Sequence, residues 1–247
     1  MKSPIHFIAL LIAVLFLTNN SSAQDSELAM IPENTTILFL GDSITQAGVR
    51  PNGYVTLFKN HLTENYADKN IKVIGAGISG NRVPNLQKRL TKDVLSKKPD
   101  LVFIYIGIND VWHSQSGRGT SPVDFEAGLK EIIGKIQSQG GKVILCTPSM
   151  IGEKTDGTNP LDSMLEDFSA ISRRVAKETG SQLLDLRQNF VEYLKTNNTK
   201  NVAKNILTSD GVHLNPAGNQ FVTEQMLDGL KTHVAHPHAS SVVRHIV

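Results

Sequence analysis

Short apolar runs and longer amphipathic stretches alternate along this chain. The runs fall at residues 36–40, 71–74, 101–106, 142–147 and 182–186. They are rich in β-branched and aromatic residues and are bounded by glycine or polar residues, as strands are. The run Leu101-Val102-Phe103-Ile104-Tyr105-Ile106 is apolar at nearly every position, the pattern of a strand covered on both faces. Between the runs, apolar residues recur at helical spacing. Val55, Leu57, Phe58 and Leu62 mark a helix over residues 54–66, and a second amphipathic helix spans 85–97 and stops before Pro99. Ser121-Pro122 opens a helix that Gly140-Gly141 ends, and Gly180 caps another over residues 161–179. Further helical segments lie at 187–196 and 216–232. Strands alternating with helices predict a parallel sheet covered by helices on both faces.

Composition narrows the class. The chain has 247 residues, of which 40% are hydrophobic and 19% charged, enough for one substantial core. No internal repeat or linker divides it. A formal charge of +2 without a basic cluster argues against nucleic acid as a partner. Cys146 is the sole cysteine and sits in an apolar run, which predicts a buried structural thiol and no intrachain disulfide. At the N-terminus, Lys2 precedes an apolar block at residues 5–17, and small residues at Ser21 and Ala23 follow. This is the pattern of a signal peptide cleaved after Ala23, with a block too short for a stable membrane span. The expected layout is a leader at 1–23, one domain at 24–232 and a loosely held tail at 233–247. The destination is the periplasm or the exterior. His236 and His238 in the tail lack acidic or thiol companions, so no metal site is read there.

Candidate chemistry gathers at the strand ends. The first run stops at Gly41, and Asp42 and Ser43 follow at once. In an open parallel sheet, ligands bind beyond the carboxyl ends of the strands where strand order reverses. For a flavodoxin-like order 2-1-3-4-5, the loops after the first three strands converge there, and they hold Ser43, Gly80 and Asn109. A serine hydroxyl needs a base, an orienting acid and donors for the oxyanion. His213 supplies the base and Asp210, three residues earlier in a Gly-containing loop, the acid. The N–H groups of Ser43 and Gly80 and the side-chain amide of Asn109 supply the donors. Trp112, the only tryptophan, is a candidate wall for an acyl or sugar subsite, and Arg82 a candidate contact for a polar substrate group. His113 is a weaker rival for the base, because its neighbour Asp110 reads as a structural acid. No Gly-x-Ser-x-Gly elbow occurs, which argues against the α/β-hydrolase fold.

Gly41-Asp42-Ser43-Ile44, Gly77-Ile78-Ser79-Gly80-Asn81, Gly107-Ile108-Asn109-Asp110 and Asp210-Gly211-Val212-His213 together resemble the four blocks of the GDSL, or SGNH, hydrolase superfamily. The resemblance runs from about residue 37 to about residue 230. It implies a three-layer α/β/α fold and ester hydrolysis through an acyl-enzyme without metal or other cofactor. It also implies Ser43, Asp210 and His213 as the catalytic triad, with Ser43, Gly80 and Asn109 as the oxyanion hole. Polar loops around residues 48–53 and 114–120 favour a short acyl group such as acetyl on a small-molecule or polysaccharide ester. The alternative is a lysophospholipase or thioesterase acting on lipid or thioester substrates with the same triad.

Overall fold

The computed structural model describes residues 27–235. The expected leader at residues 1–23, with its expected cleavage after Ala23, and residues 236–247 with His236 and His238 lie outside the described residues. Five strands form one parallel sheet: β1 (Thr36–Gly41), β2 (Lys72–Gly77), β3 (Leu101–Tyr105), β4 (Lys142–Cys146) and β5 (Gln182–Leu184). Their order is β2-β1-β3-β4-β5, the flavodoxin-like order expected. The helices are α1 (Ser43–Gly48), α2 (Tyr54–Asn65), α3 (Val83–Asp93), α4 (Ile108–Trp112), α5 (Pro122–Gln137), α6 (Asp162–Thr179), α7 (Leu186–Asn197) and α8 (Pro216–Ala235).

Both faces of the sheet are buried because its central strands carry apolar residues at successive positions. Side chains alternate between faces along a strand. Phe39 of β1 and Phe103 of β3 stack with ring centroids 4.8 Å apart, and Phe58 and Tyr54 of α2 meet Phe39 edge-on at 5.0 and 5.7 Å. Helices α2 and α8 pack together on this face, and Phe190 of α7 meets Phe221 of α8 edge-on at 5.0 Å. The opposite face carries α3, α5 and α6, which pack in succession. Cys146 is wholly buried at the end of β4, and burial holds its thiol far above the ordinary range. No helix among the described residues is long and apolar enough to cross a membrane.

Register is what positions the functional loops. Gly41 at the end of β1 stands opposite Gly77 of β2 and opposite Tyr105 of β3. The loops leaving these three strands therefore start at one height.

Local boundaries differ from the sequence expectation for identifiable reasons. The helix expected at 85–97 begins at Val83, with Pro84 in its first turn where a missing N–H costs nothing. It ends at Asp93, and a tight 3₁₀ turn follows. The fifth strand was expected to reach residue 186 but ends at Leu184, because Asp185 caps α7: its carboxylate accepts the Gln188 N–H at 3.2 Å. Helix α8 runs past residue 232 to Ala235. Replacing Phe103, fully buried at the centre of the aromatic stack, by alanine should cost about 3–5 kcal/mol in urea unfolding. A loss under about 1 kcal/mol would show that the stack is not central to the core.

Candidate active site

The chain leaves β1 through a buried acid. Asp42 is 1% exposed and caps α1, its carboxylate accepting the Ile44 N–H at 2.9 Å. Its carbonyl accepts the Gln46 N–H at 2.9 Å. Ser43 is thus the first residue of a short helix, and its own N–H has no intrahelical acceptor. The sequence predicts a loop at Ser43 rather than this helix, which is only six residues long and has no clear amphipathic period. Thr45 and Tyr54 join their hydroxyls at 2.8 Å and tie α1 to α2. Burial pushes the Asp42 carboxyl up to about 7 against the Ile44 hydrogen bond; nearby Asp110 raises it further and His213 lowers it.

The second half of the site comes from the loop before α8. Thr208 and Leu214 form an antiparallel bridge, and the Ser209 N–H reaches the His213 carbonyl at 2.8 Å. Within this closed loop, one oxygen of Asp210 accepts the Val212 and His213 N–H groups at 2.9 and 2.7 Å. The other oxygen lies 2.7 Å from His213 Nδ1. Gly211 makes the tight geometry accessible with φ of +99°. His213 Nε2 lies 2.9 Å from Ser43 Oγ across 170 residues of sequence. With the Nδ1 proton held by Asp210, Nε2 is the acceptor for the serine hydroxyl. Burial pushes the Asp210 carboxyl up, but the imidazole and the two backbone donors outweigh it and hold the group below its ordinary value. The side chains of His213 and Asp210 remain 35% and 48% exposed, so the pair lies in an open crevice rather than a closed pocket.

The loops after β2 and β3 complete the arrangement. Gly80 has φ of +73°, a conformation in which a side chain would be strained. The turn is held by the Asn81 N–H on the Ile78 carbonyl at 3.2 Å and by the Ser79 N–H on Gln46 Oε1 at 2.7 Å. Asn109 is 4% exposed in the first turn of α4 and donates one amide N–H to the Asn81 carbonyl at 3.1 Å. That contact ties the β2 and β3 loops together and leaves the second amide proton of Asn109 for a ligand. Helix α4 was expected as loop. Asp110, fully buried beside Asn109, accepts the Val83 N–H at 3.0 Å, and burial pushes its carboxyl up to about 6. Asp110 is thereby a backbone anchor and not a partner of His113. The His113 imidazole instead faces Gly80, its Cε1 4.0 Å from where a Cβ would stand. Burial, then Arg118 and Arg82, lower its pKa.

Of the two candidate substrate contacts, Trp112 lies beside the His213 imidazole, with ring centroids 6.3 Å apart. Arg82 donates to the Gly119 carbonyl at 3.2 Å and so holds the 113–119 loop. Arg89 was not singled out from sequence. Its guanidinium joins the Gly41 carbonyl at 2.8 Å, the Ala76 carbonyl at 2.9 Å and Asn81 Oδ1 at 2.8 Å, fastening the ends of β1 and β2 to the loop that orients Asn109. In the sequence it is one cation on an amphipathic helix, indistinguishable from a solvated one. Among the described residues, no group of three or more His, Cys, Asp or Glu side chains is arranged to hold a metal ion.

These elements are those of a family. Residues 39–221 match the GDSL-like Lipase/Acylhydrolase family. An acetylxylan esterase of Geobacillus stearothermophilus is 32% identical over 208 residues, covering 77% of this chain and 91% of that protein. The isoamyl acetate-hydrolyzing esterase 1 homolog of Rattus norvegicus is 26% identical over 211 residues, covering 75% of this chain and 77% of its own. Among solved structures, an acetyl xylan esterase named AlAXEase superposes with a TM-score of 0.77 at 45% identity, covering 78% of this chain and 98% of its own. The chain belongs to the GDSL-like lipase/acylhydrolase family. It is a carboxylic ester hydrolase.

Asp42 gives this site a pH signature in stability. Its carboxyl titrates at about 7 in the folded chain against an ordinary value of 3.8. Between those values the native state holds a proton that the unfolded state has lost, so stability falls as pH rises, by up to about 1.4 kcal/mol per pH unit. Asp42→Asn keeps the acceptor for Ile44 and removes the titration. In urea unfolding at several pH values between about 4 and 7, the variant should gain on the native protein as pH rises. A difference that stays flat across the window would contradict the burial argument.

Proposed function

We propose that this chain is an exported serine esterase that removes acetyl groups from carbohydrate esters through an acyl-enzyme. The observation that carries the reading is the unbroken chain from Ser43 Oγ through His213 to Asp210, with links of 2.9 and 2.7 Å. In the reaction, Ser43 Oγ adds to the ester carbonyl as its proton passes to His213 Nε2. The oxyanion takes hydrogen bonds from the N–H groups of Ser43 and Gly80 and from the Asn109 amide. The imidazolium, stabilised by Asp210, then protonates the leaving alcohol as its bond to carbon breaks. Water repeats the sequence on the acyl-enzyme and releases the acid. No proton or electron is left over, so no cofactor is needed.

The acyl group and the alcohol are argued separately. Two of the relatives are named for acetate esters with quite different alcohols, xylan in one and isoamyl alcohol in the other. Acetyl is thus the shared part. A crevice in which the base is 35% exposed admits a bulky alcohol, and Trp112 offers a flat apolar face beside the imidazole for a sugar ring. Arg82 contributes by holding the 113–119 loop next to that face. Export is supported by the pattern of residues 1–23, which reads as a signal peptide with small residues before a cleavage point after Ala23.

Acetate release from acetylated xylan, and hydrolysis of acetyl, butyryl and palmitoyl nitrophenyl esters, test the reading. Acetyl should be preferred. Ser43→Ala should lose about 10⁶-fold in turnover and Asn109→Ala about 10²–10³-fold. Preference for the palmitoyl ester would favour the lipid-directed acylhydrolase instead, and an active Ser43→Ala variant would remove the triad.

A further inference from the structure

A carboxylate lies buried beneath the Asp210–His213 loop. Glu153, in the segment between β4 and α6, has no solvent exposure. One of its oxygens accepts the Leu207 and Thr208 N–H groups at 2.8 and 2.6 Å and the Thr208 hydroxyl at 2.7 Å. The other accepts the Ile206 N–H at 2.8 Å. The same hydroxyl of Thr208 accepts the Gly211 N–H at 3.1 Å. Its single proton is committed to Glu153, so its lone pairs are turned toward Gly211. The backbone adds to this arrangement. Gly152 N–H donates to the Gly211 carbonyl at 2.8 Å, and Glu153 N–H donates to the Ala203 carbonyl at 3.0 Å. Gly211 is therefore held at its N–H by the Thr208 hydroxyl that Glu153 fixes, and at its C=O by Gly152, the residue before Glu153.

A buried carboxylate is costly, and four donors are what makes it tolerable. A neutral glutamine would not serve: its amide nitrogen would face the N–H of Ile206 or those of Leu207 and Thr208, donor against donor. Mere filling of space would be met by an apolar side chain at no such cost.

We propose that Glu153 is the positioning residue for the acid–base loop, acting through the Thr208 hydroxyl to fix the Asp210–Gly211 peptide and so hold the Asp210 carboxylate against His213 Nδ1. The inference rests on the Ser43–His213–Asp210 reading above. Its consequence is local. If the relay is cut, Asp210 loses its fixed position, the imidazole loses part of the stabilisation of its charged form, and substrate contacts at Trp112 and Gly80 are untouched.

The test compares Thr208→Val, which keeps the branched shape without the hydroxyl, with Thr208→Ser, which restores the hydroxyl, alongside Glu153→Gln and Ser43→Ala. Nitrophenyl acetate kinetics and thermal unfolding are measured on each. Thr208→Val should remain folded and lose about 10-fold in kcat, with KM changed by less than about twofold. The acid limb of its kcat/KM profile should move to lower pH, because the imidazolium is less stabilised; Asp42, Asp110 and His113, which also titrate around the site, are the same in every variant. Thr208→Ser should recover most of the loss and the position of the limb. Glu153→Gln should show a larger fall in kcat in the same direction; if it does not fold, the two Thr208 variants decide. A Thr208→Val enzyme with native kcat and an unmoved limb would overturn the proposal, as would a Thr208→Ser enzyme no better than Thr208→Val. Ser43→Ala separates the two levels: inactive with native Thr208→Val, only the positioning role falls; active, the triad itself falls.

Discussion

Because Gly41 stands opposite both Gly77 and Tyr105, the loops leaving the three central and edge strands begin together, and everything at the site follows from that alignment. Parallel strands held in register by a core packed on both faces leave the loops little freedom at their origins. The hydroxyl of Ser43, the turn at Gly80 and the amide of Asn109 are each only a few residues beyond a strand end. A small number of local hydrogen bonds is then enough to aim them. His213 and Asp210 come from elsewhere, on a loop that closes on itself before it meets Ser43.

Acidic side chains are used in two opposite ways around this alignment. Asp42 and Asp110 are buried, carry raised pKa values of about 7 and about 6, and are spent on backbone N–H groups at the start of α1 and α3. They organise the chain beside Ser43 and Asn109. Asp210 is nearly half exposed and is held below its ordinary value by the imidazole and by the turn it caps. Glu153 belongs with the buried pair in its surroundings, but its donors lie in the loop of the third. The division is set by burial and by donor count rather than by residue type.

The strands, the layering and the residues Ser43, Asp210 and His213 were legible in the sequence because each carries a local signal, while the strand order came with the flavodoxin-like fold assumed for such a pattern. The apolar runs are long enough to be strands, the glycine-rich strand ends are punctuated, and Asp210 and His213 sit three residues apart in a loop. The short helices α1 and α4, which carry Ser43 and Asn109, fall where the sequence predicts loops. At six and five residues they have no periodicity to detect and are held by caps rather than by an amphipathic face. Arg89 and Glu153 were invisible for another reason. A lone charge on a helix or in a Gly-containing loop reads as solvated, and only tertiary structure reveals the carbonyls and N–H groups each one gathers. Arg82 shows what a single cation leaves open: the sequence sets it beside the Gly80 block, and the fold gives one of its N–H groups to the Gly119 carbonyl.

The central claim is that Ser43 is made nucleophilic by the imidazole that the 208–215 loop brings to it. Covalent labelling by a fluorophosphonate, followed by peptide mass spectrometry, tests that claim without reference to any particular ester. The native protein should be labelled at Ser43, and His213→Ala, shown folded by its thermal transition, should be labelled at Ser43 slower by orders of magnitude. Equal labelling of the two proteins, or labelling of the native chain at another residue, would contradict the account.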